Sequence, residues 1–223
     1  MSGAAKTHVK IDIISDIVCP WCYLGKARLE AALSELPNIE AEIHWRPYQL
    51  DPSIPRIGVD RKAYMEAKFG AGPRLGQIHD QLDGFGKEVG IAFDFDAIKV
   101  APNTMGAHRL IRWAAQAGPG IQIKVVDLLF KAFFEKGQDI GSPPVLIEIA
   151  KMAGMDGSIV ETLLPTDAEE AGVIGEIATS KQMGITGVPC FIIDQKYAVS
   201  GAQTPEVLAD AIRGAAAGRS SVV

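Results

Sequence analysis

Cys19 and Cys22, separated only by Pro20 and Trp21, stand where one hydrophobic period gives way to another. Before them Val9, Ile11 and Ile13 alternate with Lys10 and Asp12, the pattern of a strand with one buried face. After them Leu29, Ala32, Leu33 and Leu36 recur at helical spacing until Pro37 stops the run. Ile39, Ala41, Ile43 and Trp45 then alternate with Glu40, Glu42, His44 and Arg46. The opening of the chain therefore reads as strand, helix, strand, with a C-x-x-C at the first junction. Few sequence features restrict a fold as tightly.

From about residue 58 to about 164 the pattern is mostly helical. Arg61 to Phe69 and Leu75 to Val89 read as helices, although glycines at 70, 72, 84 and 86 interrupt the second stretch and its approach. Asn103 can cap a helix whose face carries Leu110, Trp113, Ala114 and Ala117. Val126, Leu129, Phe130 and Phe133 form another stripe, and Ser142-Pro143 opens a helix that closes at Gly154. Mixed structure then returns. Ala168 to Met183 reads as a helix, Cys190 to Ile193 and Tyr197 to Ser200 as strands, and Thr204-Pro205-Glu206 as a further helix start. The tail from Arg219 to Val223 is expected to fray. With the helical block removed, the order is that of a thioredoxin fold. We therefore expect an α/β chain, with residues 1–57 plus 165–223 as a thioredoxin-like domain and 58–164 as a helical insertion domain.

The spacing of Cys19 and Cys22 lets a disulfide close with little backbone strain. Cys19 falls at the helix N-terminus, where free N–H groups and the dipole favour an anion, so it is the expected nucleophile. Cys22 lies one turn in and is placed to resolve a mixed disulfide. Pro20 is tolerated in the first turn. A zinc half-site and a pair of inert core cysteines are the competing readings. Zinc needs three or four protein ligands, and the only other cysteine is Cys190, while His8, His44, His79 and His108 show no paired spacing. No metal is expected. In Gly187-Val188-Pro189-Cys190 the proline precedes a strand and suits a tight turn. The base rate of cis X-Pro bonds favours a trans bond there, and only the fold assignment reverses it.

Ser15 to Gly25, the stretch Ser-Asp-Ile-Val-Cys-Pro-Trp-Cys-Tyr-Leu-Gly, resembles the active-site signature of the DsbA-like thioredoxin proteins, specifically their FrnE-type subgroup. Pro102-Asn103-Thr104 running to Ala107-His108-Arg109-Leu110, Leu129 to Phe134, Gly184 to Pro189 and Ser200 to Gln203 fit the same subgroup. The resemblance spans nearly the whole chain. It implies a thioredoxin fold with a helical insertion, a redox-active Cys19–Cys22 pair needing no other cofactor, and Pro189 as a cis-proline facing that pair. The implied activity is thiol–disulfide oxidoreduction, with isomerase action on protein disulfides. Pro20, Trp21, Val188 and His108 are the candidate substrate-binding residues. Cys190 departs from the apolar or Thr residue usual after the proline. Pro-Trp between the cysteines, where DsbA carries Pro-His, argues against a strongly oxidising pair.

Two rival readings remain. The same architecture resembles the kappa-class glutathione transferases and the 2-hydroxychromene-2-carboxylate isomerases, which typically carry a serine where Cys19 stands. Two cysteines favour redox chemistry over that reading. A chaperone-like binding module could line a groove with Trp21, Val188, Phe130, Phe133 and Phe134, although that aromatic stripe has the spacing of plain core. Asn103, His108 and Arg109 lie in a stretch that could approach the active site from the insertion; Asn103 is read as a cap, a solvated or ion-paired Arg109 is the alternative to such a role, and His44 is read as a surface residue. Cys190 begins an all-apolar strand and is expected to be buried, with a raised pKa and inert; a Cys19–Cys190 bridge is the alternative. The expected partners are disulfide-containing or thiol proteins, with glutathione as a candidate co-substrate. A formal net charge of −5 argues against nucleic acid. No apolar run approaches the length of a membrane span and the N-terminus lacks an apolar signal core, so the expected location is cytoplasmic.

Overall fold

The computed structural model describes residues 6–70 and 72–218. The expected fraying of 219–223 lies outside them. β1 (Thr7–Ser15), α1 (Pro20–Ser34) and β2 (Ile39–Pro47) form the opening unit. β3 (Val59–Asp60), α2 (Arg61–Phe69), α3 (Pro73–Glu88) and β4 (Val100–Ala101) follow. Next come α4 (Met105–Gln116), α5 (Ile121–Phe134), α6 (Pro143–Ala153), α7 (Gly157–Leu163) and α8 (Glu170–Gln182). β5 (Cys190–Ile193), β6 (Tyr197–Ser200) and α9 (Pro205–Ala216) complete the fold. It is a thioredoxin fold with a helical insertion between β2 and α8.

The main sheet has the order β2-β1-β5-β6, with β1 parallel to β2 and antiparallel to β5. Register assigns the two faces. Ile13 pairs with Trp45 and Phe191, so these three side chains share the face against which α1 packs. Ile14 pairs with Cys190 on the opposite face. The first face continues without a break into the insertion. Tyr23 of α1 stacks on Phe130 of α5 with ring centroids 4.9 Å apart, and Trp45 meets the same phenylalanine edge-on. One apolar cluster therefore joins sheet, α1, α9 and the inserted helices. Burying the apolar stripes of α4 and α5 against β2 is what fixes the insertion to the sheet.

Three local features depart from the sequence expectations. β3 and β4 form a two-residue ladder, and α7 occupies a stretch with no strong period. Arg109 is not solvated, and among the described residues it forms no ion pair. It is 1% exposed and donates to the carbonyls of Leu163, Leu164 and Ala168, the loop that ends α7 and leads to α8. The reason is chemical: a guanidinium can satisfy several orphan carbonyls at once. Asn103 does cap α4, from one residue outside Thr104, with Oδ1 accepting from Met105 N at 2.9 Å.

Candidate active site

α1 begins directly after Cys19. The Cys19 backbone is extended, with φ −92° and ψ 112°, and Pro20 occupies the first helical position. The Cys19 N–H donates to the Asp16 carbonyl at 3.0 Å, while its carbonyl accepts from Cys22 N at 3.0 Å. No side chain caps this helix end; Pro20 has no N–H and the Cys22 and Tyr23 N–H groups turn to the Cys19 carbonyl, so the Trp21 N–H and the helix dipole are what this end offers an anion at the Cys19 position. The Cys19 Sγ–H points to the Val188 carbonyl at 3.7 Å. Cys22 sits one turn deeper and is buried. Burial, followed by the adjacent Cys19, pushes the Cys22 thiol well above the ordinary range; the Ser15 hydroxyl and the Asp16 backbone oppose this more weakly. All three cysteines are free thiols.

The loop facing this helix end carries a cis Val188–Pro189 bond. Gly25 explains how the two segments come so close. A Cβ on Gly25 would stand 2.9 Å from Pro189 Cγ and 3.2 Å from Phe191 Cζ, so only a residue without a side chain fits. Glycine here serves close approach, not an unusual backbone angle.

Cys19 opens onto a cleft of about 390 Å³. The thioredoxin side contributes Cys19, Pro20, Trp21 and Val188. The insertion forms the opposite wall with Arg61, Tyr64 and Lys68 of α2, His79 of α3, and Phe133 and Phe134 of α5. Polar groups gather on that wall. Tyr64 Oη donates to Asp51 at 3.1 Å and accepts from Lys68 Nζ at 3.0 Å. Asp51 is held below the usual carboxylate range, first by the Ser53 hydroxyl. His79 stacks on Phe95 with centroids 4.1 Å apart, and burial, then the Arg61 charge, push its pKa down. That ring is neutral at pH 7. The cleft is thus largely apolar, with one cationic corner and the thiol at its mouth.

The structure brings Cys19, Pro20, Trp21 and Val188 together at the cleft and places Cys22 and Pro189 just beneath them. It does not bring His108 there. That imidazole is 2% exposed, and its Nε2 lies 3.3 Å from Asp16 Oδ1. Asp16 accepts from Leu50 N through its other oxygen at 2.8 Å, which closes His108 off from the cleft. Phe130, a proposed groove residue, is core. Asp16 and the wall of α2 and α3 were missed. Arg61, Tyr64 and Lys68 share a face at helical spacing, and α2 buries no residue, which is the pattern of a wall and not of a core helix. Cys190 faces away, packed with Ile14 and Tyr48, and burial pushes its thiol up. Among the described residues no three His, Cys, Asp or Glu side chains converge to hold a metal. No described helix is long and apolar enough to cross a membrane.

The family model of the DSBA-like thioredoxin domain matches residues 10–213. A probable DsbA oxidoreductase from Streptomyces coelicolor is 30% identical with a TM-score of 0.85, over 97% of this chain and 93% of that one. YwbO, an uncharacterized protein of Bacillus subtilis, is 26% identical over 209 residues, which cover 92% of this chain and 96% of YwbO. A 2-hydroxychromene-2-carboxylate isomerase shares the fold at 18% identity and a TM-score of 0.67, over 95% of this chain and all of that one.

Proposed function

The chain belongs to the DSBA-like thioredoxin domain family, and on that premise we propose that it is a thiol–disulfide oxidoreductase of the reductase or isomerase type, of the FrnE-type subgroup, working in the cytoplasm. The observation that carries this reading is the pairing of a thiol at the mouth of the cleft with a second thiol sealed one turn behind it. Cys19 Sγ, as thiolate, attacks one sulfur of a substrate disulfide; the other sulfur leaves as a thiolate and takes a proton. Cys22 Sγ then loses its proton and attacks Cys19 Sγ, and the second substrate sulfur leaves. The substrate gains two electrons and two protons, and Cys19–Cys22 becomes a disulfide. Two equivalents of a thiol such as glutathione return the pair to its reduced form and leave as one disulfide. The backbone at Val188 lines the cleft beside Cys19 and suits pairing with an extended segment of a protein substrate.

Equilibration against glutathione redox buffers, read by intact mass and disulfide mapping, tests this. We expect one Cys19–Cys22 disulfide to form reversibly, with a potential nearer to about −270 mV than to about −120 mV. Failure to form that disulfide overturns the proposal. The rival reading, a glutathione-using isomerase, is favoured by one observation, the mainly apolar cleft, which suits a small aromatic substrate. It requires catalysis that survives Cys22→Ser.

A further inference from the structure

Resolution by Cys22 presents a problem that the cleft does not solve. The Cys22 thiol must lose a proton from a position sealed away from water, on the side of α1 that faces the sheet. A second, small cavity of about 10 Å³ lies in that region, lined by Ser15, Trp45, Arg46 and His108 among apolar neighbours. Ser15 Oγ and Trp45 Nε1 are the two buried side-chain polar atoms without a hydrogen-bond partner among the described residues. Both belong to residues lining this one cavity. Orphaned polar atoms are costly and uncommon in folded proteins, and two around a space of this size mark a site for one water. Ser15 has the same strand parity as Ile13, so it faces α1, the helix that carries Cys22. His108 engages Asp16 through Nε2, so Nδ1 is the ring nitrogen that Asp16 does not hold.

We infer that this cavity holds one ordered water, and that Ser15, the water and His108 form a relay that removes the proton of Cys22 Sγ during resolution. The inference rests on the oxidoreductase reading. As the Cys22 S–H bond breaks, its proton passes to Ser15 Oγ, the Ser15 proton passes to the water, and a water proton passes to His108 Nδ1. The Cys22–Cys19 bond forms while the bond from Cys19 to the substrate sulfur breaks, and the electron pair leaves with the substrate thiolate. The resulting imidazolium stays paired with Asp16. Arg46, itself bound to Asp12 at 2.7 Å, is the other charged group on the cavity. Trp45 Nε1 donates to the water and fixes its orientation.

A chromogenic aryl disulfide, 5,5′-dithiobis(2-nitrobenzoate), separates the two steps in the reduced full chain. Attack by Cys19 releases one aryl thiolate, and resolution by Cys22 releases the second. We expect Ser15→Ala and His108→Gln to leave the first phase within about twofold and to slow the second at pH 7 by tenfold or more, the scale of proton-transfer catalysis. The deficit should shrink towards pH 10, where hydroxide takes the proton directly, and Ser15→Thr should restore the second phase. An unchanged second phase, or a deficit equal at every pH, overturns the relay while leaving the oxidoreductase reading intact. Absence of a second equivalent from the unmodified protein overturns the oxidoreductase reading itself. Where a variant fails to fold, seen as loss of the first phase, the unmodified protein decides. A second phase rising clearly less than tenfold per pH unit between pH 7 and 9 supports the relay, and a full tenfold rise overturns it.

Discussion

The two faces of β5 carry thiols of opposite character. On the face that α1 covers, Phe191 supports the helix whose first turn presents Cys19 and Cys22. On the other face Cys190 packs with Ile14 and Tyr48. Solvent exposure does not separate them, since Cys19 and Cys190 are each 4% exposed. Position does. Cys19 has an uncapped helix end behind it, a second thiol one turn away and a cleft in front. Cys190 is one residue from Pro189 in sequence, yet strand alternation turns it to the far side of the sheet. Alternation is therefore what keeps an odd third cysteine away from Cys19 and Cys22, the proposed redox pair.

The sharpest way to break this comparison is to remove each thiol in turn. Cys19→Ser should abolish disulfide reduction, a loss of at least about a thousandfold in an insulin-reduction assay, because no other thiol lies at the cleft. Cys190→Ser should stay within a fewfold of the parent. Comparable losses in both would mean that the two faces share one function.

The packing of the two faces should differ in the same direction. Gly25→Val forces methyl groups against Pro189 and Phe191, and should cost about 1–3 kcal/mol in chemical denaturation along with most of the reductase activity. Ile14→Val on the Cys190 face should cost about 0.5–1.5 kcal/mol and leave activity unchanged. Loss of activity in the second variant would tie the far face to the site.

A smaller effect comes from pH. Burial raises the folded-state pKa of both Cys22 and Cys190. The folded chain therefore keeps protons that the unfolded chain releases above about pH 8.5. The stabilisation is complete below that pH and is lost as pH climbs towards the folded-state values. Under reducing conditions the denaturation midpoint should fall between pH 8 and pH 10, and Cys22→Ala should flatten the fall more than Cys190→Ala. Equal slopes in all three proteins would contradict the assignment.

Much of this was legible in the sequence because it rests on period. Val9, Ile11 and Ile13 give β1, Cys190 to Ile193 give β5, and the break in period at Cys19 gives the helix start that makes the thiol useful. What was not legible lacks a period or depends on contacts between residues distant in sequence. β3 and β4 are two residues each, too short to alternate. Arg109 looks like a surface cation until the carbonyls of Leu163, Leu164 and Ala168 fold over it. His108 stands in a signature stretch, which suggested a role at the cleft. Its partner Asp16 is 92 residues away, and that pairing turns it towards the small cavity instead. The unpartnered Ser15 Oγ and Trp45 Nε1 leave no trace in a sequence, since each residue reads simply as the inward member of a strand.

The account stands on the division of labour between Cys19 and Cys22, and one measurement reaches it directly. Cys22→Ser is reacted with excess glutathione disulfide under native conditions, with Cys19→Ser beside it, and the adducts are mapped by mass spectrometry after rapid acid quench. The account predicts a persistent one-to-one glutathione adduct at Cys19 in the first variant, and at most a slow trace at Cys22 or Cys190 in the second. Equal trapping in the two variants, or an adduct at Cys190, would contradict it.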